Sequence, residues 1–267
     1  MDLDLDLNAG GVDLKSVAAP YFVVFATPTL SHSLSAEYVT SMAQTGELLR
    51  LSGIHYVTHF IGGDPYLPKV RNQLATQFLR DHPEATDLFF IDDDLGWEPE
   101  AVQRMLEVDA DVVAGVYPKK QETVAFPADL AVENDLPVWN GRLLKANMVP
   151  TGFLRIRRHV MEKMAAESKR YRGIMPSGDQ EHIEFFTVGI DPEDGEWCGE
   201  DVAFCRRWRR MGGDLWIDPD ITFSHVGRYR WVNNIGQAVK AELDHLAKLK
   251  AEAVNDAAPV ESGEVAA

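Results

Sequence analysis

The chain is poor in positive charge and in long apolar segments, and each shortage excludes a class of protein. Its 267 residues include 26 Lys or Arg but 42 Asp or Glu, which gives a formal net charge of -16 at pH 7. Such an acidic chain is unsuited to broad nonspecific binding of nucleic acid or to adhesion to anionic lipid, although a local basic groove stays open. No apolar run has the roughly 20 residues that a transmembrane helix needs. No basic stretch followed by an apolar run marks a secretory signal.

Cysteine is also scarce. The two cysteines, Cys198 and Cys205, are too few for a disulfide framework and lack the spacing of a zinc-binding pair. We therefore interpret them as buried or half-buried thiols and expect a reducing, cytoplasmic setting. The rest of the composition, with 45% hydrophobic and 25% charged residues, is typical of a globular protein with a substantial core.

Composition divides the chain into three segments. Residues 1–16 alternate Asp with Leu and carry little that would anchor them, so we predict a flexible N-terminal segment. Residues 253–267 are rich in Ala, Val and Glu and contain no aromatic residue, which predicts a disordered tail. The residues between them, 17–252, are predicted to form a single domain.

Apolar runs and amphipathic segments alternate through the first half of this domain. The predicted strands are Tyr21–Ala26, Ile54–Ile61, Leu88–Ile91 and Ala110–Val116. The predicted helices between them are Ser35–Leu51, with Ser35 as N-cap and Gly53 past its end, Lys69–Arg80, and a helix after Pro99. This order predicts an α/β fold in which helices flank a mostly parallel central sheet.

The second half is more mixed and predicts a small mixed β region beside the central sheet. The predicted strands are Val124–Val132, Val138–Lys145 with a hairpin at Asn140-Gly141, Gly152–Ile156, Ile183–Val188, Leu215–Ile217 and Ile221–Ser224. The predicted helices are Arg158–Lys169, Glu200–Met211 ended by Gly212-Gly213, and Ile235–Glu252.

The strand at Leu88–Ile91 runs directly into three carboxylates, Asp92, Asp93 and Asp94. Because strand side chains alternate, Asp92 and Asp94 project to the same side, where they can hold a divalent cation that in turn holds a phosphate-bearing substrate. The alternative is an acidic turn with no ligand, since Asp favours turns and helix N-termini. Which two of the three aspartates would ligate a cation stays open.

Two further groups could complete such a site. Glu200 and Asp201 open a predicted helix, where one could act as a general base, although carboxylates at that position also simply complement the helix dipole. His225 follows an apolar strand and could add an imidazole ligand, which would favour Mn2+ over Mg2+. A lone histidine there is more often a hydrogen-bonded structural residue.

Two basic segments are placed where a diphosphate could be bound. Arg71 begins a predicted helix after the Gly62-Gly63 loop, and Arg228-Tyr229-Arg230-Trp231 closely follows His225. Arginine binds phosphate in a bidentate manner, and an aromatic ring stacks on a sugar or a base. The alternative interpretation of both segments is a solvated surface.

Taken together, these motifs resemble the glycosyltransferases of the GT-A fold. The order is an apolar strand into Asp-x-Asp, then Glu-Asp at a helix start, then a strand ending in His. The passage GEDVAFCRRWRRMGGDLWIDPDITFSHVG, residues 199–227, is especially similar to glycosyltransferase family 2 and its relatives. The resemblance extends over residues 21–231 and implies a Rossmann-like GT-A domain that uses a nucleoside-diphosphate sugar.

The resemblance also implies roles for individual residues. The donor-binding residues would be Thr27, Pro28, Asp64, Arg71, Asp92 and Asp93. The metal ligands would be Asp92, Asp94 and His225, holding Mn2+, with Mg2+ as the alternative. The residues that contact the acceptor or close over the donor as a lid would be Tyr117, Lys119, Arg228, Tyr229, Arg230 and Trp231.

By the same resemblance, Asp201, or Glu200 beside it, is the base of an inverting transfer to an acceptor hydroxyl, and a retaining route stays open. A UDP- or GDP-sugar is the expected donor. The acceptor could be a glycan, a lipid-linked sugar, a protein or a modified nucleic-acid base, and the oligomeric state is open. The alternatives are a noncatalytic nucleotide- or sugar-binding protein of the same fold and, less favoured, a nucleotidyltransferase.

Overall fold

The structure, a computed structural model, describes residues 21–173, 180–227 and 229–256. The predicted flexible segment 1–16 and Arg228 lie outside the described residues. The predicted tail lies partly outside them, because the description ends at Asp256.

The described residues form six helices. They are α1 (Ala36–Leu51), α2 (Leu67–Asp81), α3 (Glu100–Leu106), α4 (Arg158–Ala166), α5 (Glu200–Arg210) and α6 (Ile235–Asp256). The predicted cap of α1 is confirmed, since the Ser35 side chain accepts a hydrogen bond from the Tyr38 amide and Gly53 follows at φ +72°. α6 runs four residues beyond its predicted end. No helix in the described part of the chain is both long and apolar enough to cross a membrane.

The strands are numerous, and many of them have only two or three residues. They are β1 (Phe22–Thr29), β2 (His55–Gly62), β3 (Asp87–Ile91), β4 (Leu95–Trp97), β5 (Val112–Ala114), β6 (Asp129–Leu130), β7 (Val132–Glu133), β8 (Leu136–Pro137), β9 (Trp139–Asn140), β10 (Leu143–Met148), β11 (Phe153–Arg157), β12 (Arg170–Arg172), β13 (Glu181–Ile183), β14 (Gly189–Ile190), β15 (Trp197–Cys198), β16 (Leu215–Ile217), β17 (Phe223–Val226) and β18 (Arg230–Asn233).

A large mixed sheet organises this α/β fold. Its order is β2-β1-β3-β11-β5-β16-β10-β6, with β9 paired to β10. The prediction of a mostly parallel sheet is wrong for the pairings: among the described strands, only β1 with β2, β1 with β3 and β5 with β16 pair in parallel. The cause is that β11 and β10 enter antiparallel to their neighbours. β11 separates β3 from β5, although only β4 and α3 lie between β3 and β5 along the chain.

The central part of the sheet is buried on both faces, which explains why its inner strands are mostly apolar, apart from the buried pair of Asp87 and Arg155. Along β3, Leu88 and Phe90 belong to a cluster covered by α2, α4 and α5. Phe89 and Ile91 belong to a second cluster covered by α1 and α3. The alternation of side chains along β3 thus divides the core between two helical layers. The strand therefore brings its terminal aspartates out at the edge of a rigid sheet.

Two predicted strands are largely replaced by other structure. The predicted strand Val124–Val132 is replaced by β6 and β7, and the predicted strand Ile183–Val188 is replaced by β13, which ends at Ile183. After Ile183 the backbone amides of Phe185 and Phe186 donate to the Asn72 side chain at 2.8 and 2.7 Å. These donors are therefore satisfied by a side chain of α2 and are not used by a neighbouring strand.

Candidate carboxylate site at the end of β3

The three aspartates connect two sheets. The amide of Asp92 donates to the carbonyl of Gly152 at 2.8 Å, next to β11 of the central sheet. The carbonyl of Asp94 accepts from the amide of Val226 at 2.8 Å, in the small β18-β17-β4 sheet. The turn is therefore fixed at both ends, and it lies where the C-terminal ends of β1 and β3 meet, which is the usual ligand-binding edge of an α/β sheet.

Arg71 in the first turns of α2 binds Asp92. Its Nη2 donates to Asp92 Oδ1 at 2.8 Å, and its Nη1 donates to Thr151 Oγ1. The Arg71 side chain is 2% exposed and that of Asp92 is 25% exposed, so the carboxylate faces solvent while the guanidinium supports it from below. Arg71 Nε is buried and has no hydrogen-bond partner among the described residues.

His225 faces Asp94 with a defined tautomer. Its Nδ1 lies 2.8 Å from the carbonyl oxygen of Pro118, and a carbonyl can only accept, so Nδ1 carries a hydrogen. Its Nε2 lies 3.4 Å from Asp94 Oδ1. Nε2 therefore donates to the Asp94 carboxylate when it carries a second hydrogen, and it presents a lone pair to a cation when it does not. A backbone carbonyl that accepts a hydrogen bond from Nδ1 orients a histidine so that Nε2 can ligate a metal.

Lys120 binds the other oxygen of the Asp94 carboxylate. Its Nζ donates to Asp94 Oδ2, and about a third of the side chain of each residue is exposed. Burial raises the pKa of the Asp94 carboxyl, but the hydrogen bonds from His225 and Lys120 outweigh burial and hold the pKa below its ordinary value. Asp94 is therefore a carboxylate at neutral pH.

Asp93 differs from its two neighbours. Burial raises the pKa of its carboxyl, the hydrogen bond from Thr29 opposes this, and the charges of Asp94 and Asp92 raise the pKa further. Its backbone carbonyl accepts from the Ser35 amide at 2.9 Å, next to the cap of α1. Asp93 thus faces the β1 side of the turn.

Tyr117 closes the inner wall of the site. Burial, followed by the charge of Asp92, raises its pKa well above the ordinary value, with Arg71 opposing. The Tyr117 ring meets the His225 ring edge-on, with centroids 4.9 Å apart. A Cβ on Gly152 would come 2.3 Å from Tyr117 Oη and 2.4 Å from Asp92 Oδ2, so only glycine fits between them.

The donor set fits a cation only in part. Asp94 and His225 lie together and offer an oxygen and a nitrogen, which suits Mn2+. Asp92 is instead committed to Arg71. In the described ranges, no group of three or more His, Cys, Asp or Glu side chains is placed to hold a metal. Asp94 and His225 are therefore the residues that could hold a cation, whose other positions would be filled by donors from outside the protein.

Three residues predicted to bind the donor are occupied by other contacts. Thr27 Oγ1 lies 2.7 Å from the hydroxyl of Tyr38, and both residues are buried. Pro28 lies in β1 opposite Ile61. Asp64 forms an ion pair of 2.6 Å with Lys69 in the loop after β2. Their donor contacts stay predictions, and the Thr27 hydroxyl faces the core.

The predicted catalytic carboxylates lie in the first turn of α5. Asp201 Oδ1 accepts from the Val202 amide at 3.0 Å, and Asp201 is half-buried, as is Glu200. The charge of Asp201 is among the smaller causes that raise the pKa of Tyr117. Asp201 belongs to the helical layer that also carries Arg71, since α5 and α2 cover the same core cluster.

The predicted lid is a β-hairpin formed by β17 and β18. His225 pairs with Trp231 and Val226 with Arg230, so His225 lies within β17 and not at its end. Tyr229 is 74% exposed at the turn. Lys119, predicted to contact the acceptor, is exposed in the loop that also carries Lys120.

No protein-family model matches the chain, and no curated protein matches it. Among solved structures, it is similar to A197 from STIV, with 16% identity and a TM-score of 0.47 over 81% of this chain and 91% of that one. It is also similar to a glycosyltransferase involved in the glycosylation of the major capsid of PBCV-1, with 9% identity and a TM-score of 0.32 over 55% of this chain and 66% of that one. Both TM-scores lie below 0.5, so neither similarity decides the activity.

Two residues of this region were missed by the sequence analysis. Lys120 was passed over in favour of its neighbour Lys119, and no sequence pattern distinguishes the two. The second is His32, whose φ is +55°. Its ring packs against the backbone of Gly62 and Gly63, and a Cβ on either glycine would come within 2.4 Å of a ring nitrogen. The Gly62-Gly63 pair in the sequence indicates a close approach of another group, but the sequence does not identify His32 as that group.

Proposed function

We propose that the protein is a metal-dependent glycosyltransferase that moves a sugar from a UDP- or GDP-sugar to an acceptor hydroxyl. The observation that carries the proposal is the pair of His225 Nε2 and Asp94 Oδ1, 3.4 Å apart, with the histidine tautomer fixed by Pro118. A carboxylate and an oriented imidazole at the end of a central strand form a partial site for a divalent cation. Mn2+ is the expected cation, and Mg2+ is the alternative.

In this proposal, the aspartate turn binds the donor. A cation held by Asp94 and His225 would neutralise the charge that develops on the diphosphate leaving group. Arg71 holds Asp92 in place at 2.8 Å, and the exposed part of the Asp92 carboxylate is available for the donor ribose. Tyr117 fills the space behind them and excludes water from that side.

Asp201 is the proposed base. It would accept the proton of the acceptor hydroxyl while the hydroxyl oxygen attacks the anomeric carbon, and a single displacement of this kind inverts the anomeric centre. The hydrogen bond from the Val202 amide keeps the carboxylate in one orientation at the N-terminus of α5. Glu200 is the alternative base. The hairpin residues Tyr229 and Trp231 would cover the bound donor.

One observation favours a second candidate, a noncatalytic protein that binds nucleotides or sugars. Two of the three carboxylates of the turn are paired with cationic side chains of the chain itself, Asp92 with Arg71 and Asp94 with Lys120. A site whose carboxylates are paired internally in this way can bind a neutral sugar without any cation. Turnover of a nucleotide sugar separates the two candidates.

The first experiment is a thermal-shift panel of UDP, GDP, CDP and ADP, each with and without Mn2+. A ligand of the native state raises the melting temperature by mass action. We expect a Mn2+-dependent shift with one nucleotide that is lost in Asp94→Asn and kept in Asp109→Asn. The control removes the same charge from a side chain that is 99% exposed. The absence of any shift would contradict the proposal.

The second experiment measures release of the nucleoside diphosphate from the matching nucleotide sugar without an acceptor. A slow, Mn2+-dependent hydrolysis that Asp94→Asn abolishes supports a transferase, because water then replaces the acceptor. Binding without hydrolysis, and without transfer to any glycan of a screened panel, would favour the noncatalytic candidate.

A further inference from the structure

Asp94 has both of its carboxylate oxygens occupied. Oδ1 faces Nε2 of His225 at 3.4 Å, and Oδ2 accepts a hydrogen bond from Nζ of Lys120. A cation that binds Asp94 must therefore share or displace one of these two partners. The question is which of them can leave.

His225 is fixed in position by its neighbours, whereas Lys120 is more exposed and lies in a loop. The His225 ring is 13% exposed, its Nδ1 is bound to Pro118, and its backbone pairs within the small sheet. The Lys120 side chain is 33% exposed and belongs to an irregular loop. A lysine ammonium on a flexible four-carbon stem also exchanges readily between a carboxylate and water.

The charges of His225 and Lys120 lead to the same conclusion, that Lys120 is the partner that leaves. In its neutral form, His225 offers a lone pair to a cation, whereas the ammonium of Lys120 repels one. Replacing Lys120 with a neutral residue would thus remove a positive charge that contacts Asp94, the proposed metal ligand. The Lys120 methylenes lie against the hairpin turn, since a Cβ on Gly227 would come 3.2 Å from Lys120 Cδ and 3.1 Å from the Trp231 ring. This packing keeps the displaced lysine close to Asp94.

We infer that Lys120 is a built-in competitor of the divalent cation for Asp94, so that cation binding requires the ammonium to leave the carboxylate. This inference rests on the proposed function. It makes Lys120 a positioning residue that sets the affinity of the site for its cation. It also explains why the Asp94 carboxylate is paired with a cationic side chain before any cation binds.

The test measures Mn2+ binding without nucleotide, by the loss of the EPR signal of free Mn2+, in the wild type and in Lys120→Met. We expect Lys120→Met to bind Mn2+ about tenfold more tightly, because one repelling charge has been removed. Lys120→Arg keeps the positive charge and is expected to bind as weakly as the wild type. The double variant Lys120→Met with Asp94→Asn is expected to lose the gain.

Lys145→Met is the matched control. Lys145 also forms an ion pair with an aspartate, Asp214, at 2.8 Å, and its ammonium lies over the Trp216 ring. Its removal changes the net charge equally, so a general electrostatic effect would tighten Mn2+ binding to the same extent as Lys120→Met. The melting temperature in EDTA checks that each variant is folded.

The outcomes separate the inference from the proposed function. If the wild type binds Mn2+ and Lys120→Met binds it no more tightly, the inference is overturned while the proposed metal site stands. If neither protein binds Mn2+ without nucleotide, there is no cation for Lys120 to compete with and the inference is overturned, whereas the metal dependence of the proposed function is decided by the thermal-shift panel with nucleotide. Equal tightening in Lys145→Met would also overturn the inference.

Discussion

Arg71 and Asp92 form an ion pair of 2.8 Å at the C-terminal end of β3, and its carboxylate is 25% exposed. At the other end of β3, Asp87 and Arg155 form a pair of 2.6 Å that is almost completely buried. The two pairs have the same chemistry but different access to solvent. The first is open to a ligand, whereas the second is sealed and serves the fold.

The sealed pair predicts a large loss of stability on substitution. Asp87→Asn would leave the Arg155 guanidinium buried without its counter-charge, and breaking a buried pair costs about 3–5 kcal/mol. Urea unfolding followed by circular dichroism measures this loss. The control Asp109→Asn breaks an exposed pair with Arg157 and should cost under about 1 kcal/mol. Equal effects of both variants would contradict the structural role of Asp87.

Gly152 is predicted to tolerate no side chain. Gly152→Ala would place a methyl group within 2.4 Å of both Tyr117 Oη and Asp92 Oδ2, so the site must deform. We expect a loss of about 1–3 kcal/mol in stability and the loss of the nucleotide-dependent thermal shift. The control Gly173→Ala meets its nearest neighbour, His182, at an ordinary 3.6 Å. A normal thermal shift in Gly152→Ala would show that the turn adapts.

The pair of His59 and His82 predicts a dependence of stability on pH. Their Nε2 atoms lie 2.6 Å apart, so one ring must donate and the other accept. Burial and then the charge of His82 lower the pKa of His59, with Asp81 opposing. Because the folded pKa lies below the ordinary 6.5, the unfolded chain takes up this proton first as the pH falls.

The folded state should therefore lose stability as the pH falls below about 6.5, until the folded pKa is passed. Urea unfolding between pH 7.5 and 5 measures the slope, which His59→Gln should flatten. The exposed His245 provides the control, since His245→Gln should leave the slope unchanged. A slope that His59→Gln does not alter would assign the effect to other groups.

The proposed base predicts a split between binding and turnover. Asp201→Asn should lower kcat by about 10²–10⁴-fold, the usual contribution of a general base, while the thermal shift with nucleotide and Mn2+ stays intact. Glu200→Gln, one residue away in the same turn, should keep most of the activity. The reverse result would assign the base to Glu200.

The local features of this chain could be predicted from its sequence, because they depend on short-range patterns. The apolar run of β3, the Ser35 cap and Gly53 terminus of α1, and the helix that begins at Glu200 were all predicted and are present. The position of β11 between β3 and β5 could not be predicted. Most side chains of all three strands are apolar on both faces, so periodicity does not rank their possible neighbours.

Part of the candidate site could be predicted, because that part also depends on a short-range pattern. Strand alternation placed Asp92 and Asp94 together, but their partners Arg71 and Lys120 lie 21 and 26 residues away along the chain. Which way a loop lysine points is decided by the surrounding packing and leaves no local pattern. The contact between the Thr27 hydroxyl and Tyr38 likewise left no local pattern, and the predicted donor contact of Thr27 stays a prediction.

The aspartate turn also has a mechanical role. The backbone of Asp92 is hydrogen-bonded to Gly152, next to the large sheet, and that of Asp94 to Val226 in the small sheet. The three-residue turn therefore connects the two sheets. Any sliding of the small sheet past the large one must change the separation of the two carboxylates. Substitutions outside the turn, such as those in the part of α1 that packs against β4, would then alter ligand affinity without changing any side chain that contacts the ligand.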